Sequence, residues 1–229
     1  MSRAAAPHVL AIDTALNACS VALAPLDAAG TAVTRHEPLT RGHAEMLFPM
    51  IASAAEDADI PMRAVTRIVV TTGPGHFTGA RVGLAAARSM ALALGCPCIG
   101  VSTLEALMGA LPGDGIAVSA IDARRGDVYL LIRGHEPVLL SLDAACERIR
   151  SAQTDPSAVL RLIGSGAPLI AEQVGGPEDG VHVDPRVLID PLWLLAYAGA
   201  DPQAYPPCPL YLRAPDATPP AAPSWTARP

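Results

Sequence analysis

Not one lysine occurs in this 229-residue chain; all 16 basic residues are arginine. That excludes Schiff-base chemistry, lysine-activated nucleophiles and the lysine of a Walker phosphate loop. Aromatic residues are scarce, with two Phe, two Trp and four Tyr, which leaves little for extended base-stacking platforms. The net charge of −6 argues against a stand-alone RNA-binding module, although a local arginine patch stays open. No apolar run reaches the roughly eighteen residues of a membrane span. The opening "MSRAAAPHVLAIDTA" meets Asp13 before a signal-peptide core can form, so a cytoplasmic protein with no membrane contact is expected. The five cysteines are odd in number and scattered. Cys96-Pro97-Cys98, the one close pair, lacks the two-residue gap of zinc and redox motifs. Small buried hydrophobes are the expectation for them.

What is present is a chain that is 51% hydrophobic and 17% charged, the balance of a globular protein. Val9–Ile12, Cys19–Ala24 and the region 30–37 read as a three-strand meander. Met46, Leu47, Met50, Ile51, Ala54 and Ala55 recur as one stripe of a helix, with Glu45 and Glu56 opposite. Pro49 inside that stripe is expected to kink the helix or delay its start. Ile68–Thr72 is a continuous β-branched run, suited to a central strand covered on both faces. A helix from about Thr78 to Leu94 and a strand near Ile99–Val101 follow.

The second half restarts the theme. "VSAIDARRGDVYLLI" echoes "VLAIDTALNACSVAL": each has a strand ending in Ala-Ile-Asp, a short turn and a return strand. A helix at Leu142–Ile149, a strand at Leu160–Ile163 and a glycine turn at Gly164-Ser165-Gly166 come next. The pattern predicts a duplicated α/β protein. Its expected units are 1–101, 102–200 and a proline-rich segment 201–229, disordered after about 213.

The stretch "GPGHFTGARVG", Gly73 to Gly83, joins the central strand to the alanine-rich helix. It is not a Walker loop, and its G-x-G-x-x-x-G spacing is not the dinucleotide fingerprint. Two readings remain: an anion site on helix-start amides, or glycines that let a strand turn sharply and pack closely. In the helix that follows, Arg81 and Arg88 lie together. Gly83, Ala86, Ala87, Met90 and Leu94 occupy the far face, and Val82, Leu84 and Ala91 the flanks. A helix this apolar all round is expected to be covered by something beyond its own sheet.

"AIDTALNACSVAL", "RGHAEMLFPMI", "VVTTGPGHFTGARVGLAAARSMA", "GVSTLEAL", "IDARRGDVYL" and "PLYLR" together resemble the bacterial TsaB (YeaZ) family. The segments run in order from residue 9 to 213. His76 stands where the family's signature has serine, and Ala80 where it has valine. The resemblance implies two ribonuclease-H-like halves of the actin, Hsp70 and sugar-kinase type. It also implies a non-catalytic subunit that works with its catalytic paralogue TsaD and the ATPase TsaE. Together these place threonylcarbamoyl on the adenosine beside the anticodon of tRNA. Alone, the chain is expected to self-associate as a homodimer, and to meet tRNA only through the complex.

By residue match, the docking helices run from His43 to Ala55 and from Gly79 to Ala93. His43, Leu47, Met50, Ile51, Val82, Gly83, Ala86, Ala87 and Met90 are expected at the interface, with Arg81 and Arg88 pairing acids at its edge. Gly73, Gly75, Thr78 and Gly79 form the turn. Asp13, Thr14, Asp122, Gly164 and Gly166 mark a vestigial nucleotide cleft, because Asp13-Thr14-Ala15 lacks the glycine of a phosphate turn. Asp13 and Asp122 read as remnants that cap turns. His43 has Leu47 four residues on, where the paralogue has its second metal histidine, so no metal is expected. No cofactor is expected in the isolated chain, and ATP or ADP only in the assembled complex. The competing readings are an ATP-dependent small-molecule kinase and a peptidase. Ser20, Ser102 and Ser119 show no G-x-S-x-G elbow for the latter.

Overall fold

The computed structural model describes residues 6–27, 31–155 and 157–213. The expected disorder after about 213 falls outside the described residues. The first half runs β1 (His8–Asp13), β2 (Ala18–Pro25), β3 (Val33–Pro38), α1 (His43–Asp57), β4 (Val65–Thr71), α2 (Phe77–Leu94), β5 (Cys98–Val101) and α3 (Thr103–Met108). The second runs β6 (Ile116–Arg124), β7 (Asp127–Ile132), β8 (Val138–Ser141), α4 (Leu142–Ala152), β9 (Leu160–Ile163), α5 (Ala167–Val174), β10 (Val181–Asp184) and α6 (Pro191–Leu194).

Each half builds one five-stranded mixed sheet. The strand orders are β3-β2-β1-β4-β5 and, read from the matching edge, β8-β7-β6-β9-β10. Element for element the two halves have the same topology: an antiparallel meander, then two strands parallel to its first. Parallel neighbours need crossovers, and helices between β3 and β4 and between β4 and β5 supply them, as their counterparts do in the second half. This is the duplicated ribonuclease-H-like α/β arrangement that the repeated Ala-Ile-Asp hairpins indicate.

The alternation of side chains along β1 divides the core into layers. Leu10 and Ile12 join Leu47, Met50, Leu84 and Ala87 beneath α1 and α2. Val9 and Ala11 face the other way, clustering with Leu104 and Leu107 of α3, Leu194 of α6 and Ile121, Leu131 and Ile163 of the second sheet. Val118, Ala120 and Leu130 pack outward on Cys146 and Ile149 of α4 and Ile170 of α5. The order is thus α1/α2, first sheet, α3/α6, second sheet, α4/α5. Helix α6 returns to contact β1 and β2, so the last helix among the described residues packs on the first half.

Helix α1 corrects the expectation that Pro49 delays the start of the helix. It starts at His43, entered through Gly42 at φ 86°, and continues through Pro49 to Asp57. A helical proline frees the carbonyl four residues back. Here that carbonyl belongs to Glu45, an exposed residue, so water can take the place of the missing donor.

Candidate functional site

The glycine stretch presses helix α2 onto the turn between β1 and β2. A Cβ at Gly75 would stand 2.1 Å from the Ala15 carbonyl oxygen, one at Gly79 2.2 Å from that of Thr14, and one at Gly83 2.3 Å from Thr14 Oγ1. Gly79 and Gly83, four apart, share one side of α2, and Gly75 lies just ahead of the helix start at Phe77. The His76 amide donates to Ala15 O at 2.7 Å, and Thr14 Oγ1 donates to Gly79 O at 2.7 Å. Gly73, at φ 93°, makes the initial bend, while Thr78 is exposed. The sharp turn and close packing account for every glycine in the motif.

Asp13 ends β1 with no exposed surface. Its Oδ1 accepts from the Ala15 amide at 3.0 Å and from the Thr71 hydroxyl at 2.7 Å, while Oδ2 is buried with no partner. Burial pushes this carboxyl above the usual carboxylate range, against the pull of the Thr71 and Ala15 bonds and of nearby His43 and His36. Asp122, at the matching place in the second sheet, is half-buried. Its Oδ1 accepts from the Arg124 amide at 2.8 Å, and Oδ2 pairs with the Arg124 guanidinium at 3.1 Å. Both acids therefore cap the amide two residues on, the geometry of an Asx turn.

The second glycine turn repeats the first. Gly164, at φ 97°, leaves a Cβ site 2.3 Å from the Ala120 carbonyl oxygen, and the Gly166 amide donates to that oxygen at 3.0 Å. Backbone of the chain itself thus lies against both turns.

The helices carry a correction. Leu47 and Ala87 have no exposed surface, Ile51 has 4%, and Met50, Ala86 and His43 have 7% each; Gly83 is buried against Thr14. The face of α2 opposite Arg81 and Arg88 is the one turned to its own sheet and α1. Glycine and alanine there allow close approach within the chain, so these side chains offer almost no area to a partner. His43 Nε2 lies 3.3 Å from the Leu16 carbonyl.

The outer surface consists of other residues. Met46 is 39% exposed, so it leaves the buried stripe, and both phenylalanines of the chain are exposed, Phe48 at 53% and Phe77 at 59%. Leu92 is 86% exposed. Val82 and Met90 are half-buried, and Arg81 and Arg88 exposed. Sequence reasoning missed Phe48, Phe77 and Leu92. The signal was available: on the wheel of α1, Phe48 lies away from the Leu47–Met50–Ile51 stripe.

Ser20 Oγ meets His36 Nδ1 at 2.8 Å, a pair with the chemistry of a nucleophile and base. Ser20 has no exposed surface, however, and Asp13 is bonded to Thr71 rather than to His36. Among the described residues no group of three His, Cys, Asp or Glu side chains is placed to hold a metal ion. No described helix is long and apolar enough to cross a membrane.

Residues 37–154 match the family model described as TsaD: tRNA N6-adenosine threonylcarbamoyltransferase. An uncharacterised protein of Mycobacterium tuberculosis is 37% identical over 230 residues, spanning 96% of this chain and 98% of that one. The tRNA threonylcarbamoyladenosine biosynthesis protein TsaB of Escherichia coli is 39% identical over 125 residues, 53% of each chain. Among solved structures, YeaZ from Pseudomonas aeruginosa superposes with a TM-score of 0.73 at 28% identity, covering 90% of this chain and all of the other. By sequence and by fold, the chain belongs to the TsaB (YeaZ) family.

Proposed function

We propose that this chain is a non-catalytic subunit in tRNA threonylcarbamoyladenosine biosynthesis. It docks on the catalytic paralogue TsaD and, with the ATPase TsaE, supports transfer of threonylcarbamoyl to the adenosine beside the anticodon. The observation that carries the reading is the packing of Gly75, Gly79 and Gly83 onto Thr14 and Ala15. In a nucleotide-binding relative the turn after the first strand wraps phosphate; here α2 lies against it. Thr14 donates its hydroxyl to Gly79 O, and Asp13 Oδ1 accepts from the Thr71 hydroxyl and the Ala15 amide. The Thr14 hydroxyl is taken up inside the chain, and the one unpartnered oxygen of Asp13, Oδ2, is buried away from solvent, which weighs against the metal and phosphate contacts of a kinase. The peptidase alternative has only the buried Ser20.

The docking surface lies on the outer sides of α1 and α2, anchored by Met46 and Phe48 and flanked by Val82 and Met90. Large apolar side chains at the centre of an interface carry most of its energy, and rim charges little. Without the paralogue the same surface pairs two copies of the chain, and tRNA is met through the assembled complex. The test is co-elution with the paralogue. Phe48→Asp, a change at a position already in water, should abolish the complex and leave the fold intact. Retention of a full complex by Phe48→Asp would remove this helix face from the interface.

A further inference from the structure

Helix α2 has a second exposed side, away from α1, where the segment Tyr205–Arg213 runs beside it. Three adjoining hollows form one groove there. One of about 620 Å³ lies between the glycine turn, Tyr129 and residues 209–213. It shares Arg81 and Pro209 with a second of about 680 Å³ along α2. That one shares Arg88 and Leu92 with a third of about 420 Å³ ending at Cys96 and Pro207.

At the mouth of this groove Arg81 is held in place on two sides. Its guanidinium carbon stands 3.7 Å from the centre of the Phe77 ring and 5.7 Å from that of Tyr211. Its Nε donates to the Tyr211 hydroxyl at 2.9 Å. Phe77 and Tyr211 have ring centroids 6.0 Å apart and are 59% and 55% exposed. The Phe77 ring beneath the guanidinium and the Nε bond to Tyr211 hold its orientation and leave its two terminal nitrogens for an outside acceptor. Two turns along the same side is Arg88, about 10 Å away at the helical rise. Among the described residues neither arginine forms an ion pair with a carboxylate.

We propose that this groove holds a short stretch of single-stranded RNA, with a base on the exposed part of the Phe77–Tyr211 platform that Arg81 leaves uncovered and phosphates of the strand on Arg81 and Arg88. An oriented arginine beside exposed aromatic faces is the combination that tracks a sugar–phosphate strand. Unpaired positive charge in a chain of net charge −6 gives the groove a local affinity for polyanions. An acidic peptide fits less well. Peptides in extended form bind an open strand edge, and the adjacent edge strand β5 is already engaged where the Gly100 amide donates to Tyr205 O at 2.9 Å. The platform holds only two rings, so contact is limited to a few nucleotides and is weak. The site goes beyond the docking reading and does not depend on it, because Arg81, Arg88 and residues 207–213 lie on the side of α2 away from Met90, although Phe77 borders both sides.

The experiment is fluorescence anisotropy of a labelled single-stranded decauridylate RNA with the full chain alone, at about 50 mM salt. A glutamate decapeptide serves as the competing probe. We expect RNA binding that Phe77→Ala or Tyr211→Ala weakens at least about fivefold, the effect of one lost stacking contact. Arg88→Glu, a change in an exposed side chain that leaves the core untouched, should also weaken binding. Arg88→Ala should reduce the slope of log K against log salt by about 0.7, one phosphate contact. Absence of RNA binding, binding indifferent to Phe77→Ala and Arg88→Glu, or tighter binding of the glutamate peptide would each overturn the proposal.

Discussion

Gly83→Ala is the substitution whose outcome depends most specifically on the account given of the glycine stretch. In a free helix the change should stabilise by about 1 kcal/mol, because alanine is the better helix former. Here the new Cβ would sit 2.3 Å from Thr14 Oγ1, about 1 Å inside ordinary contact. Thr14 is pinned by its bond to Gly79 O at 2.7 Å, so it cannot rotate away without losing that bond. Overpacking of this kind costs about 1–3 kcal/mol and a lost buried hydrogen bond about 1 kcal/mol. After the gain in helix propensity, Gly83→Ala should destabilise by about 1–3 kcal/mol. The obstacle is a side-chain atom, so Thr14→Ala removes it. In the double variant Gly83→Ala should cost nothing, or stabilise, giving a coupling of about 1–3 kcal/mol in a double-mutant cycle. Gly79→Ala meets the Thr14 backbone oxygen at 2.2 Å instead, and no truncation relieves it. Urea unfolding of the four proteins, followed by circular dichroism at one protein concentration, measures the cycle. Additive effects within about 0.5 kcal/mol would refute the packing argument. So would a stabilised Gly83→Ala single variant.

Two further outcomes follow from buried groups. Burial raises the Asp13 carboxyl above its unfolded value of 3.8, so the native state holds that proton more tightly. The associated stability is fully present below pH 3.8 and falls as pH climbs through the raised native value. Asp13→Asn should therefore gain on the parent protein in melting temperature between pH 4 and pH 8, and a steady loss over that range would contradict the burial argument. Burial also pushes the Cys19 and Cys98 thiols to about 11, whereas Cys208 is exposed. Iodoacetamide at pH 8 should modify Cys208 first by mass spectrometry, and early labelling of Cys19 would show that the first sheet opens.

The strands carrying the fold were legible because their signals were strong and local. Val9–Ile12 and Ile68–Thr72 are continuous runs of strand formers near the centre of a sheet; the structure extends the first by one residue at each end and shifts the second to Val65–Thr71. Strands β8 and β10 gave no such signal: each has four residues and an outer position, VLLS half-buried apart from exposed Ser141 and VHVD exposed at its two middle residues. The position of the α2 helix was legible, but its orientation was not. Gly83, Ala86 and Ala87 are too small to look like a core, and only tertiary contact with Thr14 and Ile12 shows that smallness serves close packing inside the chain. The turn-capping reading of Asp13 and Asp122 came from a missing glycine, and the hydrogen bonds of both residues supply its geometry. Phe48 was legible from its place off the Leu47–Met50–Ile51 stripe, whereas the exposure of Phe77, the first residue of α2, is a tertiary fact. The same holds for Cys208, expected among buried thiols but exposed.

The measurement that bears most directly on the central claim is the mass in solution of this chain mixed with its catalytic paralogue, by size-exclusion chromatography with light scattering. A defined heteromeric complex is expected, formed at the expense of any homodimer and lost with Phe48→Asp. Gly83 variants are unsuited to the purpose, since they perturb the core. Two separate peaks under all nucleotide conditions, together with ATP binding by this chain alone, would contradict the account and return the fold to a kinase role.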